Sequence, residues 1–140
     1  MNKWIYNNNI LSQDQIDNHL GFVYIITNIL TGKKYIGKKL LRSYRKKIIK
    51  GKSKRVLTES DWNKYYGSSQ ELKEDIKSLG IENFKREILM FCKTKSELSY
   101  KELKLQMEYD VVLRPKEFYN SFVGTRINGK HLSHLYIDDD

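Results

Sequence analysis

Residues 21–39 read GFVYIITNILTGKKYIGKK, and the fold follows from how this stretch is parsed. Two short runs of β-branched and aromatic residues flank Asn28, Thr31 and Gly32, which favour a turn, so the segment predicts a β-hairpin. Each strand carries a phenol, Tyr24 on the first and Tyr35 on the second, eleven residues apart. Gly37, two positions after Tyr35, lets another backbone or a phosphate approach closely. A polar phenol on each strand is an odd choice for a hairpin that only holds a sheet together.

Phe22-Val23-Tyr24 and Tyr35-Ile36-Gly37 resemble the two-part signature of the GIY-YIG nucleases. The second half matches fully. In the first half Phe22 and Val23 stand where the family has glycine and isoleucine, which keeps both the strand character and the tyrosine. The resemblance covers roughly Gly21 to Asn120 and implies an α+β fold, a small three-stranded sheet built on the N-terminal hairpin and flanked by helices. It further implies an endonuclease that hydrolyses DNA phosphodiester bonds with Mg²⁺ or Mn²⁺.

The chain has 140 residues, one proline and one cysteine, Cys92. That length can bury a core without disulfides, and a lone cysteine implies a reducing compartment. No apolar stretch approaches twenty residues, and the Asn-rich start lacks the hydrophobic centre of a secretory signal, so a soluble, cytoplasmic protein is expected. No repeat or long linker is visible. The expected organisation is an N-terminal segment at 1–20, a catalytic domain at 21–122 with a basic insertion near 38–57, and a tail at 123–140.

Net charge is +9, and its distribution is uneven. Lys38 through Arg55 carries ten basic residues and no acidic one; removing these from the 26 basic residues leaves 16 against 17 acidic ones. Such a cluster is a polyanion footprint, binding a phosphate backbone with strong salt dependence and little dependence on sequence. Candidate nucleic-acid contacts are Lys39, Arg42, Lys46, Lys47, Lys50, Lys52, Lys54 and Arg55, with Asn120 further along the chain. Leu40, Leu41 and Tyr44 suit the buried side of a helix, which would put Arg42 and Arg45 three apart on a neighbouring face. The bland alternative is a solvated basic loop.

Two basic positions coincide with those the family uses, Lys38 after Gly37 and Arg45 eight residues beyond Gly37. An arginine can hold a phosphate oxygen through parallel hydrogen bonds and stabilise charge developing there. Family spacing favours Arg45 over Arg42. In one mechanism proposed for relatives the tyrosine at the Tyr24 position is the general base, its pKa lowered by a cation such as Lys34 or Lys38. Tyr35 would orient water or phosphate.

From Ser60 the chain changes character. Ser68 or Ser69 can cap a helix carrying Leu72, Ile76 and Leu79, with Ser68 and Glu71 in capping-box relation and Gly80 at its end. Phe84 to Phe91 reads as a third strand with Phe84, Ile88 and Leu89 apolar, giving the order β-β-α-α-β. Trp62, Tyr65 and Tyr66 could stack on bases, but aromatics just before a helix more often pack into the core. Some relatives place a histidine before the serine pair, where this chain has Gly67.

A further helix starts near Ser96, with Leu98, Leu105 and Val112 along one stripe and Glu102 and Glu108 as embedded carboxylates. The family has one metal-binding glutamate. Six helical residues turn through about 600°, so the two point about 120° apart and are rivals for that place. Leu98, four residues before, supports Glu102, and Tyr119-Asn120, eleven and twelve residues after, supports Glu108. The segment is similar to that of phage-type members in which the glutamate after the aromatic pair is functional, which favours Glu102. Either could be a solvated helix charge.

Asn120 would orient the metal or phosphate environment in the family, or else is a turn residue. His131 and His134 have no third ligand nearby and read as surface residues. Cys92 reads as a small buried hydrophobe. Compactness and the Lys- and Asn-rich composition look most like phage and intron-associated homing endonucleases, although the tail is too short for a separate DNA-binding extension. The alternatives are a non-catalytic basic nucleic-acid-binding module, or a restriction- or repair-type structure-selective nuclease. An interaction protein whose basic segment meets an acidic partner is a further class.

Overall fold

The structure is a computed structural model and describes residues 3–124 and 127–137; the three C-terminal aspartates lie outside the described residues. The chain begins with two short strands, β1 (Ile5–Tyr6) and β2 (Asn9–Ile10), and a five-residue helix α1 (Gln13–Asp17). The quoted stretch forms β3 (Gly21–Asn28) and β4 (Lys34–Leu40), paired antiparallel from Gly21 opposite Leu40 to Thr27 opposite Lys34. The buried Asn28 builds the turn: its side-chain oxygen accepts from the amides of Leu30 and Thr31.

Two further strands follow, β5 (Arg42–Ile49) and β6 (Lys52–Glu59), and then helix α2 (Gln70–Leu79), strand β7 (Phe84–Cys92) and helix α3 (Lys95–Glu108). Two short strands, β8 (Phe122–Val123) and β9 (Ile127–Asn128), precede a 3₁₀ segment at Gly129–Leu135 that carries the exposed His131 and His134. The main sheet has five strands in the order β2-β1-β7-β3-β4. It is α+β with a sheet flanked by helices, as expected, but larger than three strands. β1 pairs parallel to β7, and Trp4 is buried. Residues 4–10 therefore contribute to the main sheet and the core.

Both faces of β3 are covered, which is why its sequence is almost continuously apolar. Phe22, Tyr24 and Ile26 pack on one face with Trp4, Trp62, Tyr66 and Leu72 of α2. Val23 and Ile36 pack on the other with Leu98 of α3, Val111 and Cys92. Trp62 and Tyr66 thus belong to the core. Val112 lies past the end of α3, in a 3₁₀ turn, and is still buried against this second cluster.

β7 pairs with β3 on one register up to Ile88 opposite Tyr24 and resumes with Met90 opposite Val23, so Leu89 is the bulged residue. The extra residue resets the alternation, so that Ile88 and Phe91 pack in the same cluster while Leu89 is exposed. Period-two reading cannot anticipate that shift.

The largest departure from expectation is the basic run. It is no helix but a β-hairpin, β5–β6, eight rungs long and not hydrogen-bonded to the main sheet. Its two-residue connection explains it: Lys50 and Gly51 both take positive φ, 52° and 74°, the turn that matches the twist of paired strands. Of the two candidate caps of α2, Ser69 accepts from the amide of Leu72; the capping box read at Ser68 and Glu71 is replaced by a pair between Glu71 and Lys33 at 2.5 Å.

Arg86 of β7 is fully buried. Its guanidinium lies over the rings of Trp4 and Tyr66, 4.6 and 4.1 Å from their centroids, and donates to the carbonyls of Asn63 and Tyr65 at 2.9 Å. It fastens the segment before α2 onto the sheet. Arg86→Met is expected to lower stability by about 2–4 kcal/mol, because two carbonyls lose the donor of part-buried hydrogen bonds and two rings lose the cation over them. Urea unfolding monitored by the tryptophans measures it, and a loss under about 1 kcal/mol would contradict this account.

Candidate active site

The outer strand β4 supplies the geometry. Its residues 34, 36 and 38 turn their backbone groups away from β3. The amide of Lys34 donates to Glu117, and its carbonyl accepts from Tyr119. The amide of Ile36 donates to the Asn120 side chain at 3.1 Å, while its carbonyl accepts from Asn120 and Gln106 at 2.8 and 3.0 Å. The Glu102 carboxyl lies beside the backbone of Lys38. One strand edge thus positions Tyr119, Asn120, Gln106 and Glu102 in succession.

A cleft of about 500 Å³ wraps round this edge. Tyr24 and Tyr35 reach it from one face of the sheet, and Lys38, Glu102 and Gln106 from the other. Tyr65, Ser68 and Asn120 complete its wall. The two signature phenols stack 6.2 Å apart with their planes 13° from parallel. Gly37 makes this possible: a β-carbon there would lie 2.7 Å from the Tyr24 Cζ and closer still to its hydroxyl. The phenol of Tyr24 occupies the space where a side chain of Gly37 would stand.

Burial pushes the Tyr24 hydroxyl well above the ordinary tyrosine range, and the nearby Tyr35, a hydrogen bond with Tyr65 and the Glu102 carboxylate push the same way. Tyr35 is also raised, chiefly by burial, although its 3.1 Å hydrogen bond with Ser68 opposes this. The expected lowering by Lys34 or Lys38 is corrected here. Lys34 Nζ donates to the Gly32 carbonyl at 3.1 Å, and Lys38 Nζ donates to the Ser99 hydroxyl at 2.8 Å. Both phenols are therefore protonated donors at neutral pH.

Glu102 is half-buried, and its carboxyl is raised by burial, against a smaller lowering by Lys38. Glu108 is exposed and lies outside the cleft. Glu102 and Gln106 fall at i and i+4 on α3 and line the cleft, while Ser99, three residues before Glu102, lines the adjoining chamber; that stripe could have drawn attention to Ser99 and Gln106 beforehand. Ser68 gave no such sign, because its partner Tyr35 is 33 residues distant.

A second chamber of about 410 Å³ adjoins the first through Lys38 and Tyr65, and Arg45 and Ser43 of β5 line it with Lys39 and Ser99. Lys39 holds Asp61 at 2.6 Å and sits 4.1 Å over the Tyr65 ring. Its hydrogen bond lowers the Asp61 carboxyl from the usual range. Arg42 is elsewhere. Its guanidinium donates to the carbonyls of Ile16 and His19, tying the hairpin base to the α1 end of the chain. Lys46, Lys47, Lys50, Lys52, Lys54 and Arg55 are exposed on the hairpin.

Asn120 is buried with its amide engaged at Ile36, so it positions the strand edge rather than offering itself to a nucleic acid. Gly67, where some relatives have a histidine, takes φ 88°, and a β-carbon there would lie 3.1 Å from the Leu72 side chain and 3.5 Å from the Tyr24 hydroxyl, so a side chain at this position would be strained. Cys92 is buried and burial raises its thiol, which does not suit a nucleophile.

The carboxylate among the side chains lining the cleft is that of Glu102, and the hydroxyls of Tyr24, Tyr35, Tyr65, Ser68 and Ser69 are among its neutral oxygen donors. Among the described residues no group of three His, Cys, Asp or Glu side chains could hold a metal by itself. One carboxylate with neutral oxygen donors suits a hard divalent ion that keeps most of its waters.

The chain matches the family model described as "Putative endonuclease segE, GIY-YIG domain" over residues 4–123. It is 37% identical over 106 residues to "Putative endonuclease segD" of Enterobacteria phage T4, covering 76% of this chain and 39% of that protein. The chain thus spans about two fifths of that relative's length. No solved structure matches it.

Proposed function

The chain belongs to the GIY-YIG family, and from that premise we propose that it is a divalent-metal-dependent endonuclease that hydrolyses DNA phosphodiester bonds. The observation that carries this reading is one cleft in which Tyr24, Tyr35, Lys38 and Glu102 meet beside a basic hairpin. Two protonated phenols donate hydrogen bonds to the oxygens of a bound phosphate or to the attacking water. Lys38 and Arg45 offer positive charge where the phosphate gains negative charge. Gly37 keeps the Tyr24 phenol against the strand, and Asn120 and Gln106 fix the edge that orients the Glu102 carboxylate.

Mg²⁺ or Mn²⁺ would be held by Glu102 and waters, and when bound supplies Lewis acidity to the phosphate and the leaving oxygen. The similarity to a phage protein named as an endonuclease accords with a homing-type member, and duplex DNA is the substrate of this reading. No helix among the described residues is long and apolar enough to cross a membrane.

The test is conversion of supercoiled plasmid with Mg²⁺ or Mn²⁺, with EDTA as the control. Nicked or linear product is expected with either ion, and EDTA is expected to abolish it while leaving salt-sensitive DNA binding in place. Binding with no cleavage of plasmid or branched DNA under either ion would replace this reading with that of a non-catalytic binding module.

A further inference from the structure

The β5–β6 hairpin contains a physical conflict. Cross-strand partners share one face of a ribbon, and like charges directly opposite each other destabilise it. Two successive rungs here are like-charged, Lys46 opposite Arg55 and Lys47 opposite Lys54. The hairpin has no third strand, and a lone two-stranded ribbon is marginal in water. A surface that repels itself on consecutive rungs is built to meet the opposite charge.

The two faces are not equivalent. Arg45, Lys47, Lys52 and Lys54 lie on one, without an acidic residue among them, together with Ser43, Val56 and Thr58. This face lines the second chamber through Ser43 and Arg45 and so continues the cleft. The other face carries Lys46 and Arg55, but Arg55 lies 5.1 Å over the Tyr44 ring, and Glu59 is on the same face. At its base Arg42 is held by carbonyls of residues 16 and 19, with Asp17 3.9 Å away. A polyanion would meet acid there.

We propose that the face bearing Arg45, Lys47, Lys52 and Lys54 is a grip for the phosphate backbone of duplex DNA, holding the substrate to one side of the cleft while the opposite face stays in solvent. From Arg45 to the level of Lys52 is four strand residues, about 14 Å, or roughly four base-pair rises of a duplex. The grip rests on the reading of the cleft as a DNA nuclease and makes the hairpin the part of the chain that holds flanking duplex.

The test compares two double variants of equal charge, Lys47→Gln with Lys54→Gln and Lys46→Gln with Arg55→Gln. Each removes two positive charges and one repulsive rung. Binding of a labelled duplex is measured by anisotropy across a salt series in EDTA, so that cleavage plays no part. The 47/54 variant is expected to reduce the slope of log affinity against log salt by about 2, and the 46/55 variant by less than half a unit. A third variant, Lys52→Gln, is expected to reduce it by about 1. Since both doubles relieve repulsion, neither is expected to melt below the wild type without DNA. Equal loss in the two doubles, or loss in neither, overturns the grip even if the wild type cuts plasmid. Face-specific loss in a protein that never cuts keeps the grip and overturns the nuclease reading.

Discussion

Glu102→Ala is expected to reduce cleavage of supercoiled plasmid by about a thousandfold or more, with DNA binding preserved in EDTA, while Glu108→Ala is expected to leave cleavage within about twofold of wild type. The asymmetry follows from geometry. Glu102 sits in the cleft beside the Lys38 backbone, and Glu108 is in solvent six residues further along α3. A carboxylate raised by burial is one that an incoming cation would relieve. Glu102→Gln separates charge from shape: it keeps the size and a carbonyl acceptor and should lose nearly as much activity. Activity retained by both Glu102 variants, or lost only with Glu108→Ala, would remove Glu102 from the proposed role.

The second large effect is expected from Gly37→Ala. The added methyl would lie 2.7 Å from the Tyr24 Cζ and 3.0 Å from the Tyr35 Cε2, and neither ring can yield freely. Tyr24 is 1% exposed and packed edge-on against Trp4 and Tyr65, and Tyr35 is stacked on Tyr24. Displacing a phenol by about 1 Å is enough for a loss of about a hundredfold in rate. Overpacking would also lower stability by about 1–3 kcal/mol. Binding of duplex DNA in EDTA should change little, because the hairpin does not touch this contact. Plasmid cleavage, urea unfolding and the salt series measure the three quantities, and near-wild-type cleavage would contradict the packing argument.

What could be read from the chain beforehand was local. The 21–39 hairpin was legible because Asn28 and Gly32 punctuate two β-rich runs, and α2 because Leu72, Ile76 and Leu79 keep helical spacing. The basic run misled for a physical reason. Leu40, Leu41 and Tyr44 fit a helical stripe, yet Leu41 is buried at the junction of two strands, and Tyr44 is exposed. The better signal was Lys50-Gly51, a turn dipeptide between residues that pair as Ile49 and Lys52. Trp4 and β1 were invisible to local reading because their partners, β7 and the aromatic cluster, come some eighty residues later or lie on other elements.

At the site, the tyrosines stand out by residue type, and Gly37, Lys38 and Glu102 were singled out by the family resemblance, which left Glu108 as a rival. The protonation of Tyr24 did not stand out, because it depends on burial and on the neighbours that a folded cleft assembles. Nor did the engagement of Arg42 and Asn120, whose partners are backbone groups and leave no trace in side-chain patterns.

β4 is the last strand of its sheet, and an open edge of that kind is the usual template on which a strand of another molecule adds to seed aggregates. Here the outward groups of residues 34 and 36 already have partners in Glu117, Tyr119, Asn120 and Gln106. The contacts that shape the cleft are therefore also the ones that close the sheet to intermolecular pairing, so pressure to stay monodisperse and pressure to keep the cleft intact fall on the same two carboxamide side chains.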